Sequence, residues 1–123
     1  MKQLSIVVTT IQTPTTCMEK LSACAERYDA QILVIGDRKG PQEYDLPRTL
    51  LFTLDNQHEM PYRLPALLPT DHYARKNLGY LYAMHHGSGC IYETDDDNFP
   101  LESWKPRDVR VHANRISKND WLN

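Results

Sequence analysis

Hydrophobic positions come in short blocks along this chain, separated by polar stretches that carry the glycines and prolines. Leu4 to Thr9 is a near-continuous apolar run, the pattern of a parallel strand buried on both faces. Thr13-Pro14 then opens a predicted helix, with threonine as N-cap and proline at the first helical position. Cys17, Leu21, Cys24 and Tyr28 recur along it at helical spacing. Gln31 to Ile35 predicts a second strand, ended by Gly36-Asp37, and residues 49–54 predict a third. Between them runs a polar loop punctuated by Gly40-Pro41. Residues 55–69 hold three prolines and read as irregular, with a helical turn around Ala66. Thr70 or Asp71 is then placed to cap a helix that runs to His86 and stops at Gly87, with Ala74, Leu78, Leu81, Tyr82 and His85 as its apolar stripe. Residues 90–94 predict a short buried strand.

Strand, helix, strand, loop, strand, helix, strand is the order of a Rossmann-like α/β layer structure with a mostly parallel sheet and helices on both faces. The expectation is a single domain over residues 1–123, with a core over 1–100 and a C-terminal extension over 101–123. In that extension Val109 and Val111 alternate as in a short strand, and residues 117–122 look like the capped start of a further helix. Ending on Trp121-Leu122 suggests the front part of something longer. It also suggests an apolar surface around Trp104, Val109, Val111, Trp121 and Leu122 that a second copy would cover, giving a homodimer or larger assembly.

Composition narrows the class without naming a function. With 123 residues, 41% hydrophobic and 24% charged, the chain is long enough for one modest core. A formal net charge of −2 gives no sign of a nucleic-acid partner. No apolar run approaches the roughly 20 residues of a membrane span, and nothing marks secretion or anchoring, so the chain as written is expected to be cytoplasmic. Cys17 and Cys24 share a helix face about 10 Å apart, too far for a disulfide. With Cys90 they are expected to be buried, inert thiols.

The candidate chemistry lies after the last strand. Asp95, Asp96 and Asp97 are adjacent carboxylates that repel one another and call for a compensating cation. If the chain stays extended there, Asp95 and Asp97 point the same way, suiting a hard divalent ion such as Mg²⁺ or Mn²⁺ that shares its oxygen ligands with a phosphate. Ligands of open α/β sheets bind outside the carboxyl ends of the strands. Asp37, directly after the second strand, is therefore positioned to bond a base or ribose, or to close an Asx-turn. Arg75 and Lys76 in the first turns of the second helix oppose its dipole, at a cost of about 0.3–1 kcal/mol each. A bound diphosphate, or the acidic triplet itself, would compensate. Gly79 in that helix costs about 1 kcal/mol relative to alanine, which close packing against the sheet would explain. A phosphate-binding P-loop and a dinucleotide fingerprint are both missing: Gly87-Ser88-Gly89 lacks a third glycine and leads into a strand. The first strand ends in Thr9-Thr10, without the acid of receiver or dehalogenase-type sites. His85-His86 falls in the last helical turn, where cations complement the dipole.

Four blocks together carry a resemblance: Val7-Val8-Thr9-Thr10-Ile11, Val34-Ile35-Gly36-Asp37, Arg75-Lys76-Asn77-Leu78-Gly79-Tyr80-Leu81, and Ile91-Tyr92-Glu93-Thr94-Asp95-Asp96-Asp97-Asn98. Over most of its length the chain resembles the STELLO-type glycosyltransferases. More distantly it is similar to the reversibly glycosylated polypeptides, the UDP-arabinopyranose mutases. The resemblance implies the nucleotide-sugar-binding half of a GT-A fold, truncated here. It implies an acidic motif that holds Mn²⁺ or Mg²⁺ against the diphosphate of a UDP-sugar donor, with Asp97 as direct metal ligand, Asp95 on ribose or metal, and Asp96 in support. It further implies Thr9, Thr10 and Asp37 in the nucleoside pocket, and Arg75, with Lys76 beside it, near the diphosphate. GT-A catalytic domains are longer than this chain, and the half that supplies the acceptor site is missing. Donor binding is therefore expected, the acceptor is unknown, and no catalytic residue is assigned. The alternatives are a non-catalytic nucleotide-binding or assembly module of the same fold, and a metal-dependent phosphatase or nucleotidyltransferase on a related sheet.

Overall fold

The computed structural model describes residues 4–114. Its centre is a four-stranded, all-parallel sheet built from β1 (Leu4–Thr9), β2 (Gln31–Ile35), β3 (Thr49–Phe52) and β4 (Cys90–Glu93), in the order β3-β2-β1-β4. The chain winds outward from β1 through β2 to β3, then crosses back to place β4 on the other side of β1. That reversal creates a switch point between β1 and β4, the place where open α/β sheets leave a crevice.

Both predicted first strands are found at their predicted bounds, because a β1 buried by neighbours and by both layers needs apolar residues on both faces. Ile6 and Val8 point to one layer with Ala30, Ile32 and Val34, against Met18, Leu21 and Ala25 of α1 (Thr16–Arg27). Val7 points to the other with Leu33, Ile35 and Phe52, against Leu78 and Ala83 of α3 (Lys76–His85). Alternate strand residues thus feed two separate cores, and each fully buried aliphatic side chain contributes about 1.5–3 kcal/mol.

Several boundaries differ from the sequence expectation. The N-cap of α1 is Thr15 rather than Thr13, and its hydroxyl accepts from the Met18 N–H. The third strand ends at Phe52, because Thr53 caps a five-residue helix, α2 (Leu54–His58), in a reciprocal capping box with Asn56. A 3₁₀ turn over Leu64–Ala66 matches the expected turn around Ala66. Neither Thr70 nor Asp71 caps the next helix. His72 caps a 3₁₀ turn over Tyr73–Arg75, its Nδ1 accepting from the Ala74 N–H at 3.0 Å, and α3 follows from Lys76. The apolar stripe shifts accordingly: Leu78 and Ala83 are buried, whereas His85 is exposed. Gly87 takes the left-handed conformation (φ +78°) that ends a helix.

The strand before the aspartates is not buried. As the edge strand β4 it exposes Cys90, Tyr92 and Glu93. Cys90 is therefore an exposed thiol and Cys24 a half-buried one, while Cys17 is buried. Burial pushes the Cys17 thiol up, and the nearby Asp96 and Asp97 charges add to that, which keeps it protonated. Val109 and Val111 form no strand and lie exposed. Trp104 is accounted for by packing on Tyr28 and Tyr92, at ring separations of 5.6 Å in each case. The expected helix over 117–122, with Trp121 and Leu122, lies outside the described residues.

Candidate functional site

A cleft of about 740 Å³ opens at the carboxyl ends of β1 and β2. Thr9, Thr10, Asp37, Arg75 and Asp96, all expected at the site, line it. Lys76, Asp95 and Asp97 are not among its lining residues.

On one wall, the loop after β1 meets the acidic turn. Thr10, itself buried, donates its hydroxyl to Asp96 Oδ2 at 2.5 Å, and Thr15 Oγ1 donates to the Asp96 carbonyl at 3.3 Å. Behind this wall sits Tyr44, whose buried hydroxyl has no partner among the described residues. Burial, with Asp96 nearby, pushes Tyr44 up to about 12, so it stays a neutral donor. The chain does not stay extended through the triplet. It turns at Asp96 and Asp97, with the Asn98 N–H returning toward the Asp95 carbonyl at 3.4 Å. The expected parallel alignment of Asp95 and Asp97 is therefore replaced by three separate environments. Asp95 bonds to Lys76, Asp96 faces the cleft, and Asp97 is exposed.

On the opposite wall, Asp37 ties the end of β2 to the segment before α3. Its Oδ1 accepts from the backbone N–H groups of Arg38 (2.7 Å) and Asp71 (2.9 Å), and its Oδ2 from that of His72 (3.2 Å). Burial acts to raise the Asp37 pKa, but those three donors and the Arg75 guanidinium outweigh it, and the group titrates below the usual carboxylate range. Asp71 adopts a left-handed backbone (φ 54°) and pairs with Arg38. An aspartate tolerates that conformation better than most residues.

Arg75 reaches into the same wall from below. It is 1% exposed. Its Nε donates to Gln57 Oε1 at 2.7 Å, and its Nη1 to the Leu68 and Pro69 carbonyls at 3.1 and 3.2 Å. Its Nη2 is buried without a partner among the described residues. A buried guanidinium nitrogen without an acceptor carries a desolvation cost, and here it belongs to a residue that lines the cleft.

Lys76, one residue on, points the other way. Its Nζ donates to Glu93 Oε1 at 2.7 Å, Asp95 Oδ1 at 3.0 Å and the Thr94 carbonyl at 3.4 Å. Burial alone would lower its pKa; the two carboxylates raise it above the ordinary lysine value. Of the two compensations expected for the paired cations, the acidic triplet is the one realised at Lys76.

Gln57, His72 and Tyr73 were not anticipated. Gln57 is fully buried and holds the β2 and β3 ends together, donating to the Gly36 and Phe52 carbonyls at 2.9 and 2.7 Å while it accepts from Arg75. The signal that could have found it is Thr53 followed three residues later by Asn56, a helix-start pattern hidden in a proline-rich stretch. His72 and Tyr73 line the cleft, and nothing in their sequence context sets them apart.

For a divalent cation, the described residues offer no cluster of three or more histidine, cysteine or acidic side chains. Among the described residues no helix is long and apolar enough to cross a membrane.

No family model matches the chain. Over 91 residues, 74% of its length, it is 37% identical to "Probable glycosyltransferase STELLO1" of Arabidopsis thaliana and 36% identical to "Probable glycosyltransferase STELLO2" of the same plant. The matched stretch makes up 11% and 12% of those two proteins.

Proposed function

Since this chain is homologous to one segment of the STELLO-type glycosyltransferases, we propose that its cleft binds a nucleotide sugar, a UDP-sugar, as the donor part of a metal-dependent glycosyltransferase. The observation that carries the reading is Arg75, a residue lining a cleft at the strand ends whose buried cationic donor Nη2 has no partner among the described residues. A nucleotide supplies acceptors of the kind it lacks. Asp37, ionised and held by three N–H groups, accepts from a donor on the base or ribose. Thr10 orients Asp96 through its hydroxyl, and Thr9 lines the cleft beside it. Asp96 and Asp97 would hold Mn²⁺ or Mg²⁺ against the diphosphate. Bound there, the ion would supply Lewis-acid stabilisation of the departing nucleoside diphosphate.

Calorimetry with UDP in the presence of Mn²⁺ and then of excess EDTA tests this reading. Chelation is expected to weaken UDP by about tenfold or more, because the Asp96 carboxylate in the cleft and the Asp97 charge beside it then repel the diphosphate unneutralised. Asp97→Asn is expected to remove most of that difference while leaving the fold intact, since the side chain is exposed. Equal affinity in both buffers sinks the shared-cation idea. The second reading is a nucleotide-binding module of the same fold that does not turn over. Saturable UDP binding with neither sugar transfer nor donor hydrolysis would select it.

A further inference from the structure

Lys76 has no hydrogen left to offer a ligand. An ammonium carries three N–H donors, and here Glu93, Asp95 and the Thr94 carbonyl take all three. Its side chain is 8% exposed, and Arg75 lines the cleft while Lys76 does not. The change from the 3₁₀ turn to α3 between the two residues sends the adjacent cations to different walls. A lysine at the first position of a helix opposes the dipole, so its placement needs another cause. The run from Glu93 to Asp97 holds four carboxylates in five residues, beside a cleft that the reading above fills with a diphosphate.

We propose that Lys76 is a positioning residue: an internal counter-ion that pairs with Glu93 and Asp95, offsets one of their two charges and pins the start of the acidic turn, so that Asp96 is the carboxylate of the turn presented to the bound diphosphate. This rests on the nucleotide reading. It assigns Asp95 to Lys76 rather than to metal or ribose, and it makes the anion affinity of the cleft depend on a residue outside it.

The test uses the whole chain and NMR titrations, which read millimolar affinities, with UDP and with uridine in EDTA. Lys76→Gln unmasks carboxylate charge within about a Debye length and is expected to weaken UDP by roughly five- to tenfold. Uridine should change by less than about twofold, and the UDP deficit should shrink as salt is raised. Lys76→Gln/Asp95→Asn, which restores the charge balance, should recover most of the UDP affinity. Asp95→Asn alone leaves Lys76 in place and keeps the test open if the lysine variants fail to fold. It should leave UDP binding in Mn²⁺ within about twofold of wild type, or tighten it, since it removes a negative charge. Equal losses for UDP and uridine in Lys76→Gln, a salt-independent loss, or a UDP loss in Asp95→Asn as large as that in Asp97→Asn would overturn the inference. A wild-type chain that binds UDP under no condition would overturn the nucleotide reading first, and this inference with it.

Discussion

Arg75 gives up almost all contact with water and is returned three hydrogen bonds, leaving Nη2 without a partner among the described residues. That combination separates its structural and its ligand-binding contributions. Arg75→Ala is expected to cost about 1–3 kcal/mol of stability, because Gln57 Oε1 loses its buried donor. It should also weaken UDP more than uridine if the idle nitrogen meets phosphate, where a charge-assisted contact contributes about 1.5–3 kcal/mol. Asp37→Ala removes the acceptor that holds Asp71 and His72 and is expected to weaken uridine and UDP alike. Denaturant midpoints and calorimetry on both variants check this. Equal effects on the two ligands in both proteins would mean that the division of the cleft is wrong. Arg75 was recognisable in the sequence as a misplaced cation near a helix start, but its burial was not. Gln57 and the carbonyls that make burial tolerable come from residues 57–69, a stretch without legible periodicity.

At the scale of elements, the packing of α3 on β1 and β2 decides where these side chains go. Gly79 is the contact point. A Cβ there would lie 2.5 Å from Val7 Cγ1 and 3.2 Å from Ile35 Cγ1. Both neighbours are buried and β-branched, so neither can swing aside. Alanine would gain about 1 kcal/mol of helix propensity, but overpacking a tight core costs about 1–3 kcal/mol. Gly79→Ala is therefore expected to be net destabilising and to push α3 off the sheet, moving Arg75 and Lys76 from their partners. Thermal unfolding of the variant measures it, and an unchanged or raised midpoint would show that α3 can shift freely. The close packing expected of Gly79 from sequence is thus present. The start of the helix was misjudged because His72, rather than a threonine or aspartate, supplies the capping acceptor.

For the molecule as a whole, the open question is what lies against the C-terminal stretch. Trp104 is already covered by Tyr28 and Tyr92, which leaves Leu101, Val109 and Val111 as the exposed large apolar side chains of that stretch among the described residues. The expectation of self-association now rests on these side chains. Light scattering over a concentration series should show a mass above the 14.3 kDa of one chain, and Val109→Asp should return it to that value. A mass that stays at one chain across the series would remove the expectation.

The apolar blocks at Leu4–Thr9 and Gln31–Ile35 determined by themselves that this is a parallel α/β sheet, because strands buried on both faces tolerate few polar residues. The acidic triplet and the acid after β2 likewise pointed to the strand ends, where the cleft lined by Asp37 and Asp96 lies. What the sequence could not carry was position across the sheet. Residues 90–93 were expected to be buried, but the chain crosses β1 and leaves them on an edge. An isolated four-residue segment holds no record of how many neighbours it will have. Nor could it say which carboxylate meets which cation. Asp95 faces Lys76 and Asp96 faces Thr10 only because a turn rotates one away from the other. A turn's side-chain directions are set by what packs around it, and here that is the start of α3 on one side and the loop after β1 on the other.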